Sequence, residues 1–203
     1  LVDEEKLWAG FDKKLRNAIR KSEKFNLEAD NGIKYFDDFY KIFQTNMRDL
    51  GTPVDSKKFF NNLIKNNKDK VDIFVTKKDG EVISAIFLIK NQNILKSEWA
   101  SSYRKYFGMN SAQFTYWECI KHYCKEFEYF DFGRSMKGEG TYNFKKKFSP
   151  EIICLHYIYH LNKGDMPNLR KDNLKRRIFS SIWKKLPLLI TNRLGPIIRR
   201  NFP

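Results

Sequence analysis

The residues with the chemistry to build a site cluster in the third quarter of the chain. Arg134 follows Asp131-Phe132-Gly133 at the close of a short apolar run, where a strand would end and present its groups. A guanidinium there suits bidentate binding of phosphate or carboxylate, or a pairing with Asp131 that fixes the turn. Asp131 is itself either a base or a strand-end carboxylate capping a turn. Further on stands Phe144-Lys145-Lys146-Lys147-Phe148. An ammonium in that run can stabilise an oxyanion or a phosphate, and a run of lysines is as readily a solvated face.

Other reactive residue types form no recognisable centre. His156 and His160 lie in EIICLHYIYHL (151–161), which reads as a strand. At about 3.3 Å per residue they would stand about 13 Å apart, too far for one metal ion. His122 falls on a predicted helix, apart from both. Cys119, Cys124 and Cys154 have no CxxC spacing, and buried free thiols in a reducing compartment are expected. No GxSxG and no Cys-His dyad is present, so covalent catalysis has no candidate. No metal or cofactor motif is read.

The elements that must hold these residues follow from periodicity. Residues 4–24 read as a helix with Leu7, Phe11, Leu15 and Ile19 on one face and Arg16, Arg20 and Lys21 on another. That basic face is either solvated or a phosphate surface. A short strand (25–29) and the Asn31-Gly32 turn lead to a helix over 34–49, stopped at Gly51-Thr52-Pro53. A third helix runs to Ile64, capped by Asp55 or Ser56. VDIFVTK (71–77), Asp79-Gly80 and EVISAIFLIK (81–90) make a β-hairpin, with another strand at 93–101. A helix from Asn110 or Ser111 to Phe127 precedes a short buried strand, 129–132. The strand at 151–161 completes an α+β fold with a mixed sheet.

Composition supports a folded chain with a basic appendage. Of 203 residues, 41% are hydrophobic and 16% aromatic, ample for a core. The net charge is +15, and residues 163–203 hold eleven Lys/Arg against two Asp. A field of that sign attracts polyanions such as tRNA, nucleotide-linked sugars or anionic lipid. The division expected is a body over 1–164 and a basic helical tail over 165–203. From Leu169 to Leu186 the residues Leu174, Ile178, Ile182 and Leu186 recur every four positions, with Phe179 and Trp183 alongside. Such a helix suits a membrane interface or docks on the protein's own core. A second short helix would reach Ile198. The opening LVDEEKLW resembles no secretory leader, and no stretch approaches the about 18 apolar residues of a membrane span. The expected location is cytoplasmic, with peripheral attachment to the inner membrane as an option. A start without Met suggests a piece of a longer protein.

Three segments, LRNAIRKSEK (15–24), FDFGRSMKGEGTYNFKKKF (130–148) and IWKKLPLLITNRLGP (182–196), together resemble the FemAB family of peptidoglycan-bridge aminoacyltransferases. The likeness extends to relatives linked to exosortase and exopolysaccharide systems. The resemblance covers the chain but corresponds to the C-terminal half of a family member. It implies a GNAT-like fold: a mixed, mostly antiparallel sheet flanked by helices. A second GNAT-like half, absent from this sequence, would carry much of the precursor-binding surface.

The implied activity is transfer of an amino acid from aminoacyl-tRNA to an amine on a cell-envelope precursor, without cofactor. In the family the Phe-Lys pair matching Phe144-Lys145 lies at the aminoacyl end of the tRNA. Lys145 is thus the expected catalytic residue, stabilising charge on the oxyanion or terminal phosphates. Phe144, Arg134 and Tyr142 are the expected substrate contacts. Acyl-CoA enzymes of the fold carry a Gly-rich R/Q-x-x-G-x-G/A loop before a helix, cradling pyrophosphate. The corresponding RKYFGMNSA (104–112) has one glycine and does not match, which disfavours acyl-CoA as donor. An acyl-CoA-dependent N-acyltransferase and a non-catalytic module binding membrane or nucleic acid remain the alternatives.

Overall fold

Two helices, rather than one, open the chain. The computed structural model describes residues 3–160 and 174–200. In it α1 (Glu4–Gly10) and α2 (Lys13–Glu23) are separated at Phe11-Asp12. Asp12 is the cause. Its carboxylate accepts from the Lys14 amide at 2.7 Å, and its own amide donates to the Lys147 carbonyl at 2.9 Å. It therefore caps a new helix where the periodicity predicts a continuous one. Arg16 spans the break by donating to Ala9 O, and the Arg20 guanidinium lies over the Trp8 ring. These two members of the predicted basic face brace the corner.

The remaining elements follow in order. They are β1 (Glu28–Asn31), α3 (Phe36–Leu50), α4 (Lys57–Asn66), β2 (Val71–Lys78), β3 (Glu81–Asn91), β4 (Ile94–Ser102), α5 (Ser111–Tyr123), β5 (Tyr129–Asp131) and α6 (Gly140–Lys146). Two further helices, α7 (Leu174–Trp183) and α8 (Leu188–Arg199), complete the described chain. Ser56 caps α4 by accepting from the Phe59 amide at 3.0 Å. The five strands run in sequence order; β1 to β4 are antiparallel neighbours, and β5 joins β4 parallel after the α5 crossover. The fold is α+β with a mixed sheet, as the periodicity predicts.

Strand alternation divides the apolar residues between two layers. Phe74, Ile86 and Leu88 face α2 and α5, joined by Leu15, Ile19, Trp117 and Ile120. Ile73, Val75, Ala85 and Phe87 face α3 and α4, where Phe39 and Phe60 are fully buried. Each such Phe contributes about 1.5–3 kcal/mol of burial. Polar groups between α5 and the sheet are paired. Thr115 links Thr76 and Ser84 through hydroxyl contacts of 2.7 Å, and Asp72 accepts from Tyr123 Oη at 2.5 Å and Asn31 Nδ2 at 3.1 Å.

Three expectations are corrected. The strand at 129–132 is not buried: β5 stops at Asp131, and Tyr129 and Asp131 are exposed. Residues 151–160 form no strand, and their side chains are exposed, Ile158 at 97%. An alternating apolar pattern becomes a strand only where an edge supplies ladder partners. Here β5 pairs over three residues and then turns off at Gly133 (φ 68°). The third correction concerns the C-terminal helices. The helix expected over 169–186 ends at Trp183, and its start, like the boundary at 164, lies outside the described residues. The stripe Leu174, Ile178 and Ile182 faces solvent, while Trp183, only 3% exposed and stacked on Phe179, turns inward.

Close approaches seat α7 and α8 on the α3–α4 connection. Gly51 ends α3 in the left-handed region (φ 73°), and a Cβ there would fall 2.0 Å from Ser180 Oγ. Gly195 lies so near Val54 that a Cβ would stand 3.0 Å from its amide nitrogen. Arg199 pairs with Asp55 at 3.2 Å.

Candidate active site

The opening between β4 and β5 gathers the candidate residues. The two strands pair in parallel at Ile94–Tyr129, Leu95–Phe130 and Lys96–Asp131 only, and β4 then continues to Ser102 paired with β3 but not with β5. Along that stretch β4 bulges in its ladder with β3. Phe87 lies opposite Trp99 and Leu88 opposite Ser97, leaving Glu98 as the extra residue. A bulge twists the strand and re-aims the side chain it carries. On the other wall, Asp131 Oδ1 accepts from the Gly133 amide at 2.7 Å and fixes the turn out of β5. Behind the opening Tyr116 and Ser97 share a hydrogen bond of 3.0 Å, and Tyr116 stacks on Phe132. Burial pushes the Tyr116 phenol up to about 12, so it stays a neutral hydrogen-bonding group.

Lys145 reaches this opening from α6. Its Nζ donates to the carbonyl oxygens of Gly133 and Arg134, each at 3.2 Å. Lys145 and Lys147 are partly buried and Lys146 is exposed, and it is Lys145 whose ammonium is bound to this turn. Burial lowers its pKa from the ordinary 10.5, while the carboxylates of Asp131 and Glu98 act in the opposite sense. A half-buried ammonium held by two carbonyls is suited to meeting developing negative charge.

The other predicted contacts are arranged differently. Phe144 packs into the core beside Lys145, its ring 5.3 Å from Tyr116 and 5.6 Å from Phe148. Tyr142 is partly buried one turn before Lys145 on α6. Arg134 is exposed and donates to Tyr157 Oη at 3.3 Å, while Asp131 serves the turn. The structure thus brings Lys145 to the backbone of Gly133 and Arg134, and sets Phe144 behind them as packing. Sequence reasoning missed Glu98 and Ser97. Glu98, which pairs with Lys96 at 2.6 Å, is distinguished only by the bulge, and a one-residue register shift leaves no mark on the alternation.

The loop before α5 is built as a 3-10 turn, Arg104–Met109. Its Tyr106 and Asn110 amides donate back to Tyr103 and Phe107 carbonyls at 3.0 Å. Its cations are also engaged: Lys105 meets Glu81 at 3.2 Å, and Arg104 faces Asp49 at 3.8 Å. Glu81 accepts from Tyr106 Oη at 2.6 Å, which holds its carboxyl below the ordinary range. A shallow cleft of about 160 Å³ lies beside this turn, lined by Tyr35, Asp38, Lys41, Glu81 and Tyr103.

Histidines and thiols supply no further centre among the described residues, where no group of three His, Cys, Asp or Glu is placed to hold a metal ion. Glu118 and Glu126 flank His122 at four residues on either side, but they pair with Lys121 and Lys90, and the His122 ring packs on Tyr123. Cys119 is buried and its thiol is pushed well up by burial; Cys154, against expectation, is exposed.

Comparison with known proteins gives the same fold. The solved structure of FemX superposes with a TM-score of 0.64 at 11% identity, covering 72% of this chain and 56% of FemX. The chain therefore spans little more than half of that protein. The C-terminal domain of a putative lysylphosphatidylglycerol synthetase from Agrobacterium fabrum gives 0.54 at 14% identity, over 68% of this chain and 51% of the other. An aminoglycoside acetyltransferase from an uncultured soil metagenomic sample gives 0.52 at 12% identity, over 68% and 98%. No curated protein matches the chain by sequence. The family of acetyltransferase (GNAT) domains matches residues 9–146, which take in both walls of the β4–β5 opening and Lys145. This chain belongs to that family, and its domain is an acyltransferase domain.

Proposed function

We propose that this domain transfers an aminoacyl group from charged tRNA to an amine of a cell-envelope precursor. The observation that carries the reading is the Lys145 ammonium drawn into the β4–β5 opening against Gly133 and Arg134. It is supported by the loop before α5, whose Tyr106 and Asn110 amides close on themselves where a CoA pyrophosphate would need donors. The likeness in fold to FemX agrees with it. In this reading the acceptor amine attacks the ester carbonyl carbon, and negative charge develops on the carbonyl oxygen near Lys145. The new C–N bond forms as the bond to the ribose oxygen breaks. The amine proton passes by way of Glu98 or Asp131 to the departing ribose hydroxyl. No covalent enzyme intermediate is needed. A second GNAT-like half outside this sequence completes acceptor binding, and Arg134 and Tyr142 contact the substrate.

The second reading is an acyl-CoA-dependent N-acyltransferase acting on an exopolysaccharide or its precursor. The acetyltransferase family match favours it. Binding of aminoacylated tRNA, deacylated tRNA and a CoA thioester at physiological salt separates the two. Salt matters because a +15 chain binds any RNA through phosphates when salt is low. Preference for the charged tRNA is expected. Binding of the thioester with no preference between the tRNAs would overturn the tRNA reading.

A further inference from the structure

The last two helices present an unusual surface. On α7, Leu174, Ile178 and Ile182 are exposed at successive turns, each by more than half. On α8, Ile190, Leu194 and Ile197 repeat at helical spacing, and Leu189 beside them is 83% exposed. Large aliphatic side chains rarely gather on a solvated face without a partner. Between and around them the chain is uniformly basic: residues 174–200 hold eight Lys/Arg and no Asp or Glu. Arg177, Lys184, Lys185, Arg193 and Arg200 are exposed.

We propose that the outer face of α7 and α8 docks on an anionic lipid surface, seating its aliphatic side chains among acyl chains and its cations among headgroups. The charge distinguishes this occupant from the others. A second copy meeting the same face would set the exposed Arg177, Lys184, Lys185, Arg193 and Arg200 against the same five cations, with no Asp or Glu in 174–200 to relieve them. A nucleic acid would satisfy the cations but gain nothing from Leu and Ile, since bases stack on aromatic rings. The two aromatic residues of α7 are turned away, with Trp183 buried against Phe179. An anionic bilayer answers both properties, attracting cations and accepting aliphatic groups at its boundary.

The inner sides of α7 and α8 are also seated so as to hold that face outward. The close contacts of Gly51 with Ser180 and of Gly195 with Val54, and the Arg199–Asp55 pair, fix them on the domain. No helix among the described residues is long and apolar enough to cross a membrane, so the proposed geometry lies on the surface. The proposal is independent of which acyl donor the domain uses.

Co-sedimentation of the full chain with vesicles tests it. One set is mixed phosphatidylcholine and phosphatidylglycerol, the other phosphatidylcholine alone. The wild type is expected to bind the mixed vesicles and scarcely the neutral ones. Two triple variants separate the contributions: Ile178→Ser with Ile182→Ser and Leu189→Ser, and Arg177→Gln with Lys184→Gln and Arg193→Gln. All six positions are exposed, so unchanged circular dichroism and thermal midpoints are expected. Each triple should weaken binding to mixed vesicles by at least about tenfold. Retained vesicle binding by the aliphatic triple would overturn the proposal, leaving only diffuse charge attraction. So would a wild-type dimer that the aliphatic triple converts to monomer while vesicle binding is absent. Competition of vesicle binding by tRNA, with the aliphatic triple losing tRNA affinity equally, would assign the face to nucleic acid instead.

Discussion

The Nζ of Lys145 and the carbonyl oxygen of Gly133 stand 3.2 Å apart, so a helix side chain ties down the turn by which the chain leaves β5. The same ammonium also meets the Arg134 carbonyl at 3.2 Å. One charge therefore fixes the wall of the opening and supplies its positive potential.

Removing that charge separates function from folding. Lys145→Ala is expected to lower acyl transfer by about 10²–10³-fold, as loss of one preorganised charge donor does. The thermal midpoint should change little, because the two hydrogen bonds lost lie at the rim while a partly desolvated cation is also removed. Lys146→Ala, at an exposed neighbour, should leave transfer near wild type. Steady-state rates on both variants check this, and wild-type turnover in Lys145→Ala would remove the lysine from the mechanism.

The pH dependence has a definite sign. Burial lowers the Lys145 pKa from 10.5, so the ammonium is lost at a lower pH than an ordinary lysine. Transfer should decline on the alkaline side before 10.5 is reached, and Lys145→Arg should move that decline upward. For stability the direction reverses. The unfolded chain binds this proton more readily, so the residue costs stability below its lowered pKa, and that cost fades as pH rises towards 10.5. A pH–rate profile of both proteins, with parallel denaturant titrations, reads the two effects separately.

Asp72 should be among the costliest positions to truncate. Its buried carboxylate accepts from Tyr123 Oη and Asn31 Nδ2, with Lys90 Nζ at 3.5 Å. Burial first, and then the Asp72 carboxylate, push the Tyr123 phenol well up, which keeps it a donor. Asp72→Ala leaves those donors without their acceptor, and a loss of about 2–4 kcal/mol is expected. Urea unfolding measures it. Asp72→Asn, which keeps one acceptor oxygen, should lose less.

Gly195→Val tests the seat of α8 on the α3–α4 connection. Even a Cβ would stand 3.0 Å from the Val54 amide and 3.3 Å from its carbonyl oxygen, where backbone cannot easily yield. A destabilisation of about 1–3 kcal/mol follows from such overpacking. Trp183 fluorescence should shift to the red as the buried indole meets water, giving a local readout beside the thermal midpoint.

The central meander was legible because its signals are local and mutually consistent. Asp79-Gly80 between two alternating runs sets a hairpin, and Ser56 and Gly51 mark helix ends in the expected way. The basic run was visible too, but its three lysines are alike in sequence. Only the winding of α6 brings Lys145 to the Gly133 and Arg134 carbonyls. The helix break at Asp12 was hidden because an aspartate within a periodic run reads as an ordinary polar position; its capping role depends on Lys147, far along the chain. The strand expected at 151–161 had the right alternation, but residues 151–160 pair with neither edge of the sheet, and alternation alone does not supply a ladder partner. The apolar stripe of α7 had the expected spacing and faces outward, a choice the sequence left open because periodicity identifies a stripe without saying where it points.

The brevity of the β4–β5 pairing sets the order in which the domain comes apart. Three residues of β5 are laddered to β4, whereas β2 and β3 pair at eight positions across one bulge, with 71–76 buried on both faces. Amides of the meander should therefore exchange their hydrogens only in global unfolding, and those of 129–131 through smaller openings of the edge. The parallel strand must also await the α5 crossover, so it joins a meander already able to form from local contacts. The edge that carries Lys145's carbonyl partners is thus the last part of the sheet to be secured and the first to be released.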